Sequence, residues 1–398
     1  MESKLERAVL HVADYGGAYS GNFVASLRAL EEPCRAMGLR LVFAFSEADS
    51  PRPWIDAVRR TGIPVHLLRR DGSLAQRTAA IARMAEAEDA AVVHSHYATY
   101  DVPCALAAAR RGRGVVWHMH SPMPHDPRLK TLVKEALKAR VLGRRAHAVA
   151  VSEAILDEAI RNGFPAGRAE YIPNGVDVAH ATATHLGRDE QRRRLGIGPA
   201  ARLTLAFGWE PLRKGIDVVL DAADERARRG DEGAFLLVGG GELDAFLSAR
   251  YGGALPGWLR TLPPQEHVGD LYAAADVFAS ASRAEGFPYA LGEALANGLP
   301  VVVSDIPGVE WAHELAGARF FPSGDGAALA AKLAEVARWS AAERGRRGAA
   351  SRRYAERELS VATWAERVAR LYRAALGTRS AAPARADRDR VTRAAAAR

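Results

Sequence analysis

AEGFPYALGEALANGLPVVVSD, residues 284–305, sets Glu285 and Glu293 on either side of a Gly-Phe-Pro turn. Pro288 has a fixed φ and no N–H, which suits the first position of a helix. The pattern predicts a helix over 289–297, with Gly298 as its stop. Leu291, Ala294 and Leu295 form its buried face by their i, i+3, i+4 spacing. PVVVSD then reads as a buried strand. Glu285 falls in the loop before the helix and Glu293 about one turn inside it. The N–H groups of Tyr289 and Ala290 project from the helix start, where the macrodipole favours an anion. Such a stretch can hold a phosphate at the helix tip, with a carboxylate on each side to accept from hydroxyls. A sugar nucleotide has that pattern. Taken alone, the same residues also read as a capping Glu285 and a solvated Glu293, so the rest of the chain decides.

Working outward, the 398 residues suggest two domains. The 48% hydrophobic and 26% charged residues are those of an ordinary globular chain. Cys34 and Cys104 give neither a disulfide framework nor a CxxC pattern and are expected to be core thiols in a reducing, cytoplasmic setting. The start, MESKLERAVLHVADYGG, has no long apolar core, so a signal peptide is not expected, and no run of 18 apolar residues predicts a membrane span. The net charge is +8, but residues 379–398 contribute half of it with six Arg against two Asp. That tail is of low complexity and is predicted to be disordered. Without zinc-finger spacing, an RNP-like strand or a recognition helix, nucleic acid is not an expected partner.

Strand and helix patterns alternate along the chain. AVLHVAD (8–14), LRLVFAF (39–45), AVVHSHY (91–97), GVVWHMHSP (114–122) and HAVAVS (147–152) read as strands, and Ser152 caps the helix EAILDEAIRNG. A polar, turn-rich connector lies around 178–200, after which the alternation restarts with RLTLAFG (202–208) and AFLLVGGGE (234–242). This implies parallel βαβ units in two halves with a cleft between them, ligands binding at the carboxyl ends of the strands.

Several stretches carry chemistry. In FGWEPLRKGIDVVLDA (207–222), Arg213 and Lys214 stand between a strand and a helix, where two cations can neutralise a diphosphate and support a leaving group. VGGGE (238–242) lets backbone approach a nucleotide through Gly239, Gly241 and Glu242, but matches neither GxGxxG nor a P-loop. Gly16 and Gly17 follow the first strand and can face a phosphate or an acceptor. Two His-x-His pairs, His94/His96 and His118/His120, each point to one face of a strand. Zinc is set aside for want of an acidic partner at a recognisable spacing. His120, last before the loop, is the candidate cleft residue. DPRLKTLVKEALKARVLGRR (126–145) is amphipathic, with a Lys130, Lys134, Lys138 stripe that marks a candidate peripheral membrane contact, or a plain solvated face.

Together AVSEAILDEAIRNG…YIPNGVD, FGWEPLRKGID, FLLVGGGEL, the 284–305 stretch with its flanks and FPSGDGAAL resemble a GT-B retaining glycosyltransferase of the family 4 type, over most of residues 8–377. The resemblance implies an α/β, GT-B architecture of two Rossmann-like domains facing across a cleft. An acceptor-side domain is expected over 1–178, a connector over 179–200 and a nucleotide-sugar domain over 201–360. A C-terminal helix over 361–378 packs back on the first domain, followed by the 379–398 tail. It implies that Glu293 accepts from the ribose, Glu285 lies by the transferred sugar and Lys214 binds the diphosphate. Gly286, Phe287, Pro288, Tyr289 and Ala290 loop over the phosphates, and His120 faces the sugar. It implies a nucleotide diphosphate sugar as donor, a glycan, lipid-linked or small-molecule acceptor, and no metal or other cofactor; with the cytoplasmic setting read from the cysteines, the 126–145 segment makes the inner face of the membrane the candidate place for a peripheral contact. One departure stands out. The family often has Gly-Arg after the first strand of the second domain, and Trp209 stands at that position, leaving Arg213 to supply the charge. A non-catalytic sugar-nucleotide-binding protein and a histidine-metal hydrolase are the competing classes.

Overall fold

Short runs of small and β-branched apolar residues without a polar face are the sequence of strands covered on both sides. In the computed structural model, which describes residues 7–48, 52–121, 138–231 and 233–377, these runs build two sheets. The first contains β1 (Arg7–Ala13), β2 (Leu39–Ser46), β3 (Val65–Leu68), β4 (Ala90–His96), β5 (Gly114–Met119), β6 (His147–Ala150) and β7 (Ala169–Tyr171). The second contains β8 (Leu203–Phe207), β9 (Ala234–Val238), β10 (Leu259–Leu262), β11 (Val277–Ser280), β12 (Val301–Asp305) and β13 (Ala318–Pro322). Their orders are β3-β2-β1-β4-β5-β6-β7 and β10-β9-β8-β11-β12-β13, and all the registered pairs are parallel. Strand order reverses between β1 and β4 and again between β8 and β11, the switch points at which such sheets open a crevice. The architecture is two Rossmann-like domains facing across a cleft.

The chain crosses between the domains at two adjacent points. Val176 N donates to Leu359 O at 2.6 Å and Val361 N to Val176 O at 3.1 Å, so the outgoing and returning strands are stitched together. The returning helix, Val361–Ala375, starts on a Ser360 cap. It lays Trp364, Val368 and Tyr372 into the first domain's core beside Val9, Leu27 and Val116.

The segment around 178–200 is more than a polar linker. It carries the helices Val178–Thr182 and Arg188–Arg194, and Arg192 is buried at 3% exposure. The Arg192 guanidinium donates to Ala274 O at 2.9 Å, Gly198 O at 2.9 Å and Asp276 at 3.2 Å, and also to Ala201 O. The sequence shows several arginines there but not which of them is buried. Burial of one of them, with both terminal nitrogens donating and only Nε left without a hydrogen-bond partner, fastens the segment to the second domain.

Two further readings change. The helix of the opening stretch runs Tyr289–Ala296, with Pro288 as its cap rather than its first residue. In the basic segment, residues 126–137 lie outside the described residues, as does the 379–398 tail. Lys138, assigned above to an outward-facing stripe, turns inward: its Nζ meets Asp101 Oδ2 at 2.9 Å and lies 5.4 Å from the Trp117 ring. A buried carboxylate attracts the nearest cation more strongly than solvent does, so Lys138 is not part of a membrane-facing surface.

Arg192→Met keeps the aliphatic stem but removes a buried set of charge-assisted bonds and strands Ala201 O, while Asp276 and Ala274 O keep Arg188, and Gly198 O keeps Ala201 N. Equilibrium denaturation is expected to show a loss of about 3 kcal/mol, and a loss under about 0.5 kcal/mol would show that the segment is held by something else.

Candidate active site

The loops that follow β8 and β11 meet at the cleft. Their contact depends on Gly215, whose φ is +64° and whose Cβ, if it had one, would lie 2.0 Å from Ala281 O. With that approach open, Lys214 Nζ reaches Glu285 Oε1 at 2.6 Å, both side chains being only 11% and 9% exposed. Ser282 Oγ donates to the same oxygen at 2.8 Å. Arg213 lies 3.6 Å from Glu285 Oε2 and is held from the other side by Glu210 at 2.7 Å. Lys214 also sits 4.6 Å from the centre of the Trp209 ring. Burial lowers the Lys214 pKa, against the pull of Glu285. The structure thus gathers Arg213, Lys214 and Glu285 at one point and sets Trp209 beneath the ammonium.

Glu293 is held differently. Tyr272 donates to its Oε2 at 2.6 Å, and Asn22 Nδ2, from the helix Gly21–Ala29 of the other domain, donates to Oε1 at 2.6 Å. Asn22 Oδ1 in turn accepts from Asp177 N at 2.8 Å. Burial raises the Glu293 pKa, and these two donors only partly offset it. Each carboxylate oxygen has a second lone pair and can still accept one further hydrogen bond.

Between the carboxylates the domains touch backbone to backbone. A Cβ on Gly286 would lie 1.9 Å from His120 O. Phe287 is buried in an apolar cluster that spans both domains with Val151, Val176 and Leu359, and it stacks on Trp311 with ring centres 5.2 Å apart. Its side chain is therefore a plug, leaving the backbone of the 286–290 loop to face the cleft. Tyr289 begins the helix, and its hydroxyl pKa is raised by burial and then by Tyr97 and Tyr15 across the cleft.

The remaining candidates fall nearby. Gly17 lies under the Tyr15 ring, and its carbonyl accepts from Trp54 Nε1 at 3.0 Å. A Cβ added at Gly16 would meet nothing nearer than Ala48 at 3.8 Å. Gly239 packs on Leu243, whose Cδ2 would be 2.8 Å from an added Cβ. Gly241 opens the helix Gly241–Tyr251, and Glu242 is exposed on its first turn.

Beside His120 the structure gathers more histidines than the two expected pairs. His11 joins His94, His96, His118 and His120 in one stack, with neighbouring ring centres from 4.2 to 5.6 Å apart. Burial pushes His11 and His120 down to about 3, and His94, His96 and His118 also lie well below their usual value. The rings are neutral. The sets His11/His94/His96 and His96/His118/His120 have ligand atoms within 4.8 Å of one another. Asn22, Tyr272, Ser282 and His11 went unread in the sequence. Asn22 closes the glycine turn YGGAYSGN, which was read for its glycines alone.

Residues 32–180 match the family model described as Glycosyltransferase Family 4, and residues 202–338 that described as Glycosyl transferases group 1. Together the matches take in both domains, and the chain belongs to this glycosyltransferase family. It is 30% identical over 179 residues to TuaC of Bacillus subtilis, named for teichuronic acid biosynthesis, covering 44% of this chain and 43% of that protein. It is 30% identical over 249 residues to a D-inositol 3-phosphate glycosyltransferase of Xylanimonas cellulosilytica, covering 55% of this chain and 56% of that one. The chain thus spans about half the length of these curated relatives. In fold it is similar to Anabaena HepE, whose crystal structure holds UDP-glucose, with a TM-score of 0.75, 21% identity and coverage of 91% of this chain and 98% of that one.

Glu293→Gln tests the carboxylate's burial. The amide oxygen can accept from Asn22, while its NH2 donates to Tyr272, which turns its hydrogen to Ala290 O at 3.2 Å. A carboxyl whose folded pKa is raised binds more protons folded than unfolded, so ionising it costs stability above that raised value. The variant is expected to melt higher than wild type at pH 8, the gap shrinking as pH falls toward the ordinary value of 4.5. Calorimetry across that range checks it, and a gap that widens on acidification would contradict it.

Proposed function

We propose that the chain is a retaining glycosyltransferase that moves a hexose-type sugar from a nucleotide diphosphate sugar to a glycan or lipid-linked acceptor. The setting is bacterial polysaccharide or glycoconjugate biosynthesis on the cytoplasmic side of the membrane. The observation that carries this reading is the dry Lys214–Glu285 pair, placed beside a point where His120 and Gly286 bring the two domains into backbone contact.

In this reading the diphosphate lies against Lys214, Arg213 and the start of the helix Tyr289–Ala296, whose first N–H groups have no intrahelical acceptor. Those charges replace a metal, and no cofactor is needed. They stabilise the departing nucleotide diphosphate while the sugar passes through an oxocarbenium-like state. Glu285 holds the sugar hydroxyls, and Glu293 holds the ribose with its unused lone pairs. The backbone of Gly286, Phe287, Tyr289 and Ala290 lines the phosphates, with Gly239, Gly241 and Glu242 on the nucleoside side. His120 faces the transferred sugar from the first domain, and Gly16 and Gly17 face the acceptor. Retention follows from attack on the face that the leaving phosphate vacates, with the phosphate taking the acceptor proton. The teichuronic acid name of one relative supports a glycan acceptor. The D-inositol 3-phosphate name of the other favours a second reading, a small phosphorylated polyol. Among the described residues no helix is long and apolar enough to cross a membrane.

Thermal-shift measurements with UDP, GDP, ADP and TDP, with and without EDTA, test the donor site. One nucleotide is expected to raise the melting temperature. A ligand at 100 times its Kd adds about 2.7 kcal/mol, and the shift should survive EDTA and fall in Glu293→Ala. A shift abolished by EDTA would overturn metal independence, and no shift from any nucleotide would overturn the donor site.

A further inference from the structure

Hydrogen bonds between neutral imidazoles carry a counting rule. Each ring has one N–H and one bare nitrogen, so a link between two ring nitrogens holds one proton, supplied by one partner only. His120 Nε2 lies 3.3 Å from His96 Nδ1, and His96 Nε2 lies 3.0 Å from His11 Nδ1. His96 therefore uses both nitrogens in links.

We propose that His11, His96 and His120 share a single tautomer, so that His96 acts as a positioning residue that decides whether His120 offers the cleft a donor or an acceptor. If His96 carries its proton on Nδ1, His120 Nε2 must be bare and His120 is protonated on Nδ1. His96 Nε2 is then bare, and His11 must supply the proton from its own Nδ1. If His96 carries its proton on Nε2, every assignment reverses. A mixed set would place two N–H groups, or two lone pairs, against each other in a buried link. Burial keeps all three rings neutral, so no extra proton relieves the rule.

The relay continues inward. Tyr372 OH lies 3.3 Å from His11 Nε2 and 2.7 Å from His94 Nδ1, and His94 Nε2 ends the chain, buried without a hydrogen-bond partner. The outer end is His120 Nδ1, which makes no hydrogen bond among the described residues. His118 stands apart: it stacks on His120 with ring centres 4.2 Å apart, yet neither of its ring nitrogens is linked to another histidine or to Tyr372, and its polar neighbour is Asn174. It is as deeply buried as His96 but outside the relay, which makes it the natural control.

The consequence for His120 in transfer rests on the function proposed above, whereas the shared tautomer does not, and the two are tested separately. Long-range proton–nitrogen NMR on the full chain labelled with 15N-histidine reads each ring's tautomer directly, with single His→Phe variants for assignment. His11, His96 and His120 are expected to show one common tautomer. Mixed tautomers among them would overturn the proposal, as would loss of all three signals on adding one equivalent of Zn2+, which would make the rings ligands. In a transfer assay His96→Phe is expected to lower kcat about tenfold, the worth of one oriented hydrogen bond, with the donor KM little changed. His118→Phe, which removes an equally buried but unlinked ring, should leave kcat near wild type. Equal losses in the two variants would reduce His96 to packing. Should His96→Phe not fold, the wild-type spectrum still decides, and a donor site that fails to bind nucleotide leaves that spectrum untouched.

Discussion

Lys214 and Glu285 form a nearly dry ion pair, and such a pair persists only where the backbone lets its two loops touch and where further donors meet the remaining lone pairs. Gly215 supplies the first condition with its left-handed turn against Ala281 O. Gly308, at φ +96°, supplies it again on the far side, where a Cβ would lie 2.4 Å from Glu285 O. Ser282 supplies the second through its hydroxyl, and its own carbonyl is fixed by Ser304 Oγ at 2.6 Å. Ser282 follows β11 and Ser304 lies in β12, adjacent strands at the carboxyl end of the second sheet, so the carboxylate is located by the sheet and not by a free loop.

The same logic crosses the cleft. Asn22 can bridge Glu293 and Asp177 N only while the first domain stays where the twin crossings at Val176 and Val361 put it. A residue larger than glycine at 286 would meet His120 O at 1.9 Å, and one at 292 would meet Val176 Cγ2 at 2.7 Å. These contacts are hard and the apolar cluster around Phe287 is soft. The relative position of the domains is therefore set by glycines and buffered by aromatic packing, and a ribose that engages Glu293 must share it with Asn22 or displace it.

Periodicity made the parallel strands legible because fully buried strands write themselves as unbroken apolar runs. The Glu285/Glu293 stretch was legible because proline, glycine and two carboxylates constrain one another locally. Asn22 and His11 were not, because each acts on a partner far along the chain: Asn22 meets Glu293 at a separation of 271 residues and His11 meets His96 at 85; Tyr272 meets Glu293 from a different helix, 21 residues away, beyond the reach of any local period. A polar residue on an otherwise apolar strand, as His11 is in β1, was the one local hint. The short edge strands β3, β7 and β10 also passed unread, four residues or fewer being too little for a period to show. The inward turn of Lys138 was hidden for a further reason. A helical stripe assigns all its lysines to one face, but the described end of that segment is not a regular α-helix: Lys138–Leu142 is wound with π geometry, which shifts side chains off the stripe.

Arg213 raises the question of how a cation already paired twice can serve a diphosphate. Its two carboxylates are unequal. Glu285 is 9% exposed and holds Lys214 more closely than it holds Arg213, whereas Glu210 is 57% exposed. An exposed pair of this kind is worth about 0–1 kcal/mol, and Glu210 also sits at φ +51°, a backbone setting unfavourable for a side chain with a Cβ. On the proposed function, a diphosphate entering beside Lys214 competes for Arg213 with the weaker holder. Its higher charge and its fit to the guanidinium fork favour the transfer. On that reading Trp209 then has a reason to stand where the resemblance leads an arginine to be expected. Its ring lies 4.6 Å from the ammonium and offsets part of the desolvation of Lys214 without adding a third cation to compete for Glu285, so on the proposed function Arg213 is the cation left to turn to an arriving diphosphate.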